Sequence, residues 1–161
     1  MRYTITPKYI ERIAKQARRI LAGYVAGKPG ARIFPGYYSF EQTDRPGWWS
    51  ASLASPAWGQ VLGAHQVQNS PRHAFLVTAR GFAVFNDPAT PVWVPYEAIV
   101  DMDKLDKDAT DGLLTLWWGA PPERVDLHFE CKAAAFAFVQ YLAYARQRLK
   151  IEGIASDPER P

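Results

Sequence analysis

The sequence predicts an α+β domain: a basic amphipathic helix, a run of short antiparallel strands curled around a core, and a long closing helix. Three observations lead there. Residues after Thr6-Pro7 sort into an apolar and a charged side at 100° per residue. Between His73 and Glu130, apolar runs of strand length alternate with tight-turn pairs. Beyond Cys131, apolar residues return at helical spacing. Consecutive hairpins followed by a terminal helix define the class.

The first helix is expected over 8–25. Thr6 is its cap and Pro7 occupies the first helical position, where a missing N–H costs nothing. Tyr9, Ile10, Ile13, Ala14, Ala17, Ile20, Leu21, Tyr24 and Val25 form the apolar side. Lys8, Glu11, Arg12, Lys15, Gln16, Arg18 and Arg19 form the other. Gly27, Pro29 and Gly30 end it. Within 31–72, Phe34–Phe40 and Trp48–Leu53 read as short strands around the turn Asp44-Arg45-Pro46-Gly47. Trp58–Ala64 fits a strand or a helical turn, and Asn69-Ser70-Pro71 a loop.

From His73 the pattern sharpens. Strands are expected at His73–Ala79, Phe82–Asn86, Pro91–Val94, Ile99–Asp103, Leu113–Trp118 and Arg124–Glu130. Arg80-Gly81, Asn86-Asp87-Pro88, Asp111-Gly112 and Gly119–Glu123 supply the turns. The last strand alternates strictly, placing Val125, Leu127 and Phe129 inward and Arg124, Asp126, His128 and Glu130 outward. The final helix, Cys131–Ile151, carries a core stripe of Ala134, Ala135, Phe138, Leu142, Ala145 and Leu149. Three units follow: a basic helix in 1–30, the β domain with its helix in 31–152, and a frayed polar tail in 153–161.

A chain of 161 residues suits one domain and buries a core without metals or disulfides. Cys131 is the sole cysteine, so an internal disulfide is excluded. No apolar run reaches the ~20 residues that cross a bilayer, and a cytoplasmic location is the expectation. The net charge of +3 is unevenly placed: residues 1–32 hold eight bases against Glu11, and the remainder is mildly acidic.

From about Phe75 to Leu149 the chain resembles the bacterial pleckstrin-homology-like (PH-like) families. The similar features are Leu76-Val77-Thr78-Ala79-Arg80-Gly81, the stretch Val92 to Ile99, the Asp111-Gly112 hairpin, and a closing strand that runs into the C-terminal helix. The resemblance implies a strongly bent, partly open seven-stranded barrel plugged by the helix. It also implies a binding scaffold whose ligands range from lipid head groups to peptides and other subunits. Arg32 and Arg45 stand alone where head-group-binding members cluster their bases, which argues against lipid head groups.

No motif names a chemistry. His128-Phe129-Glu130-Cys131 lacks the second cysteine pair that a zinc deaminase requires. The acidic run Asp101, Asp103, Asp106, Asp108 and Asp111 fails the calcium-loop spacing, because Trp117 stands where the twelfth-position Glu belongs. Neither a phosphate loop nor a nucleophile elbow occurs. No cofactor or metal is therefore expected. The basic helix offers Lys8, Arg12, Lys15 and Arg19 as a steering face for an acidic protein. Phe136 projects opposite the core stripe with Val139 near it, so a second packing surface is expected there. That surface is either the first helix or another chain, which leaves self-association open. Bases confined to one helix argue against nucleic acid. The expected function is non-catalytic protein binding, as adaptor, inhibitor or immunity-type accessory protein. A peripheral membrane protein using the basic helix and a small enzyme without a signature are the alternatives.

Overall fold

The structure is a computed structural model that describes residues 2–21, 24–25, 28–29, 37–40, 45–67, 70–85, 91–103, 112–129, 132–152 and 154–156. It is an α+β arrangement of two helices and two main antiparallel sheets. Strand β1 (Arg2–Thr4) leads into α1 (Pro7–Gln16) and a π-helical turn (Ala17–Leu21). Strands β2 (Tyr24–Val25), β3 (Lys28–Pro29) and β4 (Tyr37–Ser39) follow. Next come β5 (Val61–Val67), β6 (Ser70–Thr78), β7 (Gly81–Phe85) and β8 (Val92–Pro95). Then β9 (Ile99–Met102), β10 (Gly112–Trp118) and β11 (Glu123–Phe129) precede α2 (Lys132–Glu152) and β12 (Ile154–Ser156).

One sheet has the order β4-β5-β6-β7-β8 and the other β11-β10-β9; no closed barrel forms among the described residues. Their hairpins align with the expected turns. Leu76 pairs with Ala83 across Arg80-Gly81, and Leu116 pairs with Val125 across Gly119–Glu123. A Cβ on Gly81 would run into the Val94 carbonyl, so β8 approaches β7 this closely only over glycine. Thr78 locks the same turn: its Oγ1 accepts from the Gly81 amide at 3.2 Å and donates to the Trp58 carbonyl at 2.6 Å.

The five-stranded sheet is a middle layer, buried on both sides. On one face Phe75, Val77, Phe82, Val84 and Val94 join the main core with β10, β11 and α2. Phe138 of α2 sits at its centre, with ring centroids 5.0 Å from Phe75, 5.7 Å from Phe82 and 5.5 Å from Phe129. On the other face Ala64, Leu76, Ala83 and Phe85 lie under Trp58, with Trp48, Trp49 and Trp93 around them. Val125, Leu127 and Phe129 point inward as expected.

Four expectations change. The first helix narrows to Pro7–Gln16 and its π-helical turn, after which Tyr24 and Val25 pair with Pro29 and Lys28. Gly23, the least favourable residue in a helix interior after proline, follows Leu21 by two positions. Trp48–Leu53 is no strand: the Trp49 amide donates to the Pro46 carbonyl at 3.0 Å, and Ser50 caps a 3-10 turn at Ala51–Leu53. Pro46-Gly47 reverses the chain, and that reversal lets the indoles cover the sheet. Ser70 and Pro71 open β6 instead of lying in a loop. Ile154–Ser156, expected to fray, pairs antiparallel with Arg2–Thr4. Phe34 to Gly36, Asn69, Asn86 to Pro88, Asp111 and the segment 157–161 lie outside the described residues. Among the described residues no helix is long and apolar enough to cross a membrane.

Candidate binding cleft

A cleft of about 380 Å³ opens where the end of α2 meets the link between the two sheets. That volume lies in the range of small-ligand and anchor-residue sites. Its position follows from the chain path. β8 ends at Pro95, a 3-10 turn at Tyr96–Ala98 crosses over, and β9 starts the second sheet at Ile99. Gly119, with φ near 85°, begins the β10–β11 turn on the same rim and donates its amide to the Ala98 carbonyl at 2.9 Å. The last turns of α2 supply Arg146, Leu149 and Lys150.

The floor is held by a buried hydroxyl chain. Tyr96 donates to the Thr78 carbonyl at 2.7 Å, so the Tyr141 hydroxyl 2.7 Å away is the donor to the Tyr96 oxygen. Burial pushes both phenols well above the ordinary tyrosine range, with mutual repulsion adding to the effect at Tyr96, and both remain neutral. Arg146 reaches across the cleft and donates to the Ile99 carbonyl at 3.1 Å. At the other end of β9, Asp101 accepts from the Met102 amide at 2.8 Å. Both caps occupy backbone groups of an edge strand, which is how sheet edges are kept from recruiting further strands.

The walls combine apolar and charged groups. Val100 is 55% exposed at the mouth, and Lys150 is exposed beside it. Glu97 supplies the one carboxylate among the described lining residues. Partial burial lifts its carboxyl above the ordinary value, although Arg80 pulls the other way. No Ser, Thr, Cys or His side chain is among the described lining residues.

The residues singled out from sequence lie elsewhere. Lys8, Lys15 and Arg19 are exposed on the N-terminal segment, and Arg12 is half-buried. The opposite side of that segment is fully occupied, with Tyr9, Ile13, Ala17 and Leu21 buried in the main core. Both α1 and its π-helical turn pack on α2, but the second surface expected at Phe136 does not form within the chain. Val139 packs partly buried against the main core. Phe136 stays 45% exposed, with the Lys132 ammonium 5.9 Å from its ring. Sequence reasoning missed the cleft. Its only linear signals were Arg146 and Lys150 one helical turn apart and the Tyr96-Glu97 pair before β9.

His65 is fully buried and stacks on Phe75 at 5.0 Å, a core position. His128 is half-buried; burial first and His73 second hold its imidazole below the ordinary value. Among the described residues no group of three or more His, Cys, Asp or Glu side chains is gathered for a metal. Glu130, Cys131, Asp106 and Asp108 lie outside those residues. Compared with family models, curated proteins and solved structures, the chain matches none.

Proposed function

We propose that this chain is a non-catalytic protein-binding domain, PH-like in its core, that takes an anchor side chain of an acidic partner into the α2–β9 cleft. The cleft is the observation that carries the reading. Leu149 in its lining and exposed Val100 at its mouth suit a large apolar side chain, the kind that dominates binding energy when seated in a pocket. Lys150 and Arg146 on one wall against Glu97 alone favour carboxylates beside that anchor. Consecutive antiparallel strands in two sheets followed by a terminal helix are the features compatible with a PH-like core. The basic side of α1 has no part in the seat and serves encounter with the acidic partner. Because its apolar side is buried in the core, α1 has nothing to insert into lipid, and liposome binding is expected to be weak or absent.

A defined test is selection of a phage-displayed random peptide library on the full chain. Enrichment of peptides pairing an aromatic or branched apolar residue with Asp or Glu is expected, with binding lost in Lys150→Glu and Val100→Asp. Failure to enrich, or equal binding by both variants, overturns the reading. One observation favours a second reading as an enzyme: the raised carboxyl of Glu97 at a cleft is suited to proton transfer. Glu97→Gln separates the two, because peptide binding survives it and acid catalysis does not.

A further inference from the structure

A pair of imidazoles lies apart from the cleft, contributed by the two sheets. His73 is on β6 and His128 on β11, and their ring centroids are 4.1 Å apart. The placement of His73 is unusual for a strand. Its φ is 68°, a left-handed conformation rarely adopted by a residue with a side chain. It sits where the register between β5 and β6 shifts, between the pairs His65–Phe75 and Val67–Ser70. A bulge of this kind re-aims the side chain it carries. Here it turns an exposed imidazole from the first sheet toward an imidazole on the second. Among the described residues, neither ring has a hydrogen bond that would use up its nitrogens.

We propose that His73 and His128 form a two-imidazole site for a divalent transition-metal ion of the borderline class: copper, nickel or zinc. Neutral imidazole is the commonest protein ligand for these ions. With metal–nitrogen bonds of about 2.0–2.1 Å, two cis imidazoles on one ion hold their ring centres roughly 4.5–5 Å apart, so the exposed His73 ring must turn slightly out of its contact with His128 to seat the ion. With two protein ligands the remaining positions are open to water, so the ion exchanges readily and is no structural cofactor. The expectation of no resident metal, which rested on the lack of a complete ligand set, concerns a different kind of site. Asp126, two positions before His128 on the same face, is paired with Arg124 at 3.0 Å, so it is not counted as a third ligand.

The chain has three histidines, and the third, His65, is buried, so the site can be read residue by residue. The test is titration of the untagged full chain with NiCl₂ and ZnCl₂ by calorimetry. One ion per chain is expected, with affinity falling on the order of 10²-fold in His73→Ala or in His128→Ala, since either loses the intramolecular second ligand. Cys131→Ser should bind as the parent does. A substoichiometric Cu²⁺ titration of the parent protein, followed through the imidazole C–H resonances, needs no variant to fold. His73 and His128 should broaden together before His65. Absent binding, binding unchanged in both histidine variants, or broadening of only one of the pair overturns the proposal.

Discussion

The two faces of the five-stranded sheet are buried by different means. The inner face meets regular elements, and its Phe75 and Phe82 are 1% and 0% exposed beneath Phe138 of α2, itself 0% exposed. The outer face carries Ala64, Ala83 and Leu76 beside Phe85, and is covered largely by tryptophans from an irregular segment. Trp58 stacks on Trp93 at 5.4 Å, and Trp48 is tethered through Gln66 to Tyr38 by hydrogen bonds of 2.7 and 3.1 Å. A cover of this kind needs no secondary structure, only large rings and a chain free to turn. The inner face accordingly holds the fold, and the outer face is a lid of aromatic rings.

The largest expected effect follows directly. Phe138→Ala should cost about 3–5 kcal/mol in denaturant unfolding, because it empties the meeting point of both sheets and α2. Trp58→Ala should fall at or below the low end, about 3 kcal/mol, since partly exposed rings can settle into the gap. Equal losses would erase the distinction between core and lid.

The hydroxyl chain under the cleft comes next. Tyr96→Phe removes the donor to the Thr78 carbonyl and the acceptor of Tyr141, and should cost about 1–3 kcal/mol. Tyr141→Phe leaves the Tyr96–Thr78 bond in place and should cost about 1 kcal/mol. A reversed order would mean that Tyr141 is the anchor of the pair.

Smaller effects separate cleft from basic helix. Lys15→Glu with Arg19→Glu should slow association with an acidic partner while changing stability by no more than ~0.5 kcal/mol, as exposed substitutions do. The smallest effect concerns Glu97. Its carboxyl is raised in the folded protein, so its stabilising contribution is full below the unfolded value and is lost as pH rises through the folded one. Glu97→Gln should remove that slope from stability measured across mildly acidic pH, and should strengthen binding of an acidic peptide at neutral pH.

The same contrast explains what could be read in advance. Strands β6 to β11 and α2 were legible because alternation and helical spacing record burial directly, as in Val125, Leu127 and Phe129. The stretch Trp48–Leu53 was misread because Trp48 and Trp49 have strand-like composition, whereas Pro46-Gly47 and the capping Ser50 decided the local path. Helix α1 ran too long on paper because Tyr24 and Val25 continue its apolar periodicity beyond Gly23. The cleft was hidden for a geometric reason. Tyr96, Glu97 and Val100 lie nearly fifty positions from Arg146 and Lys150, and no local pattern encodes that meeting. The His73–His128 contact depends on a bulge and a positive φ that leave no mark in composition.

A partner seated between α2 and β9 would slow amide hydrogen exchange there, which is read on the full chain. Exchange is followed with and without a saturating selected peptide. Protection is expected to be confined to Tyr96–Met102 and Arg146–Ile151, with α1 unchanged. Protection of Lys8–Arg19 with an unaltered cleft would contradict it and return the binding role to the basic helix.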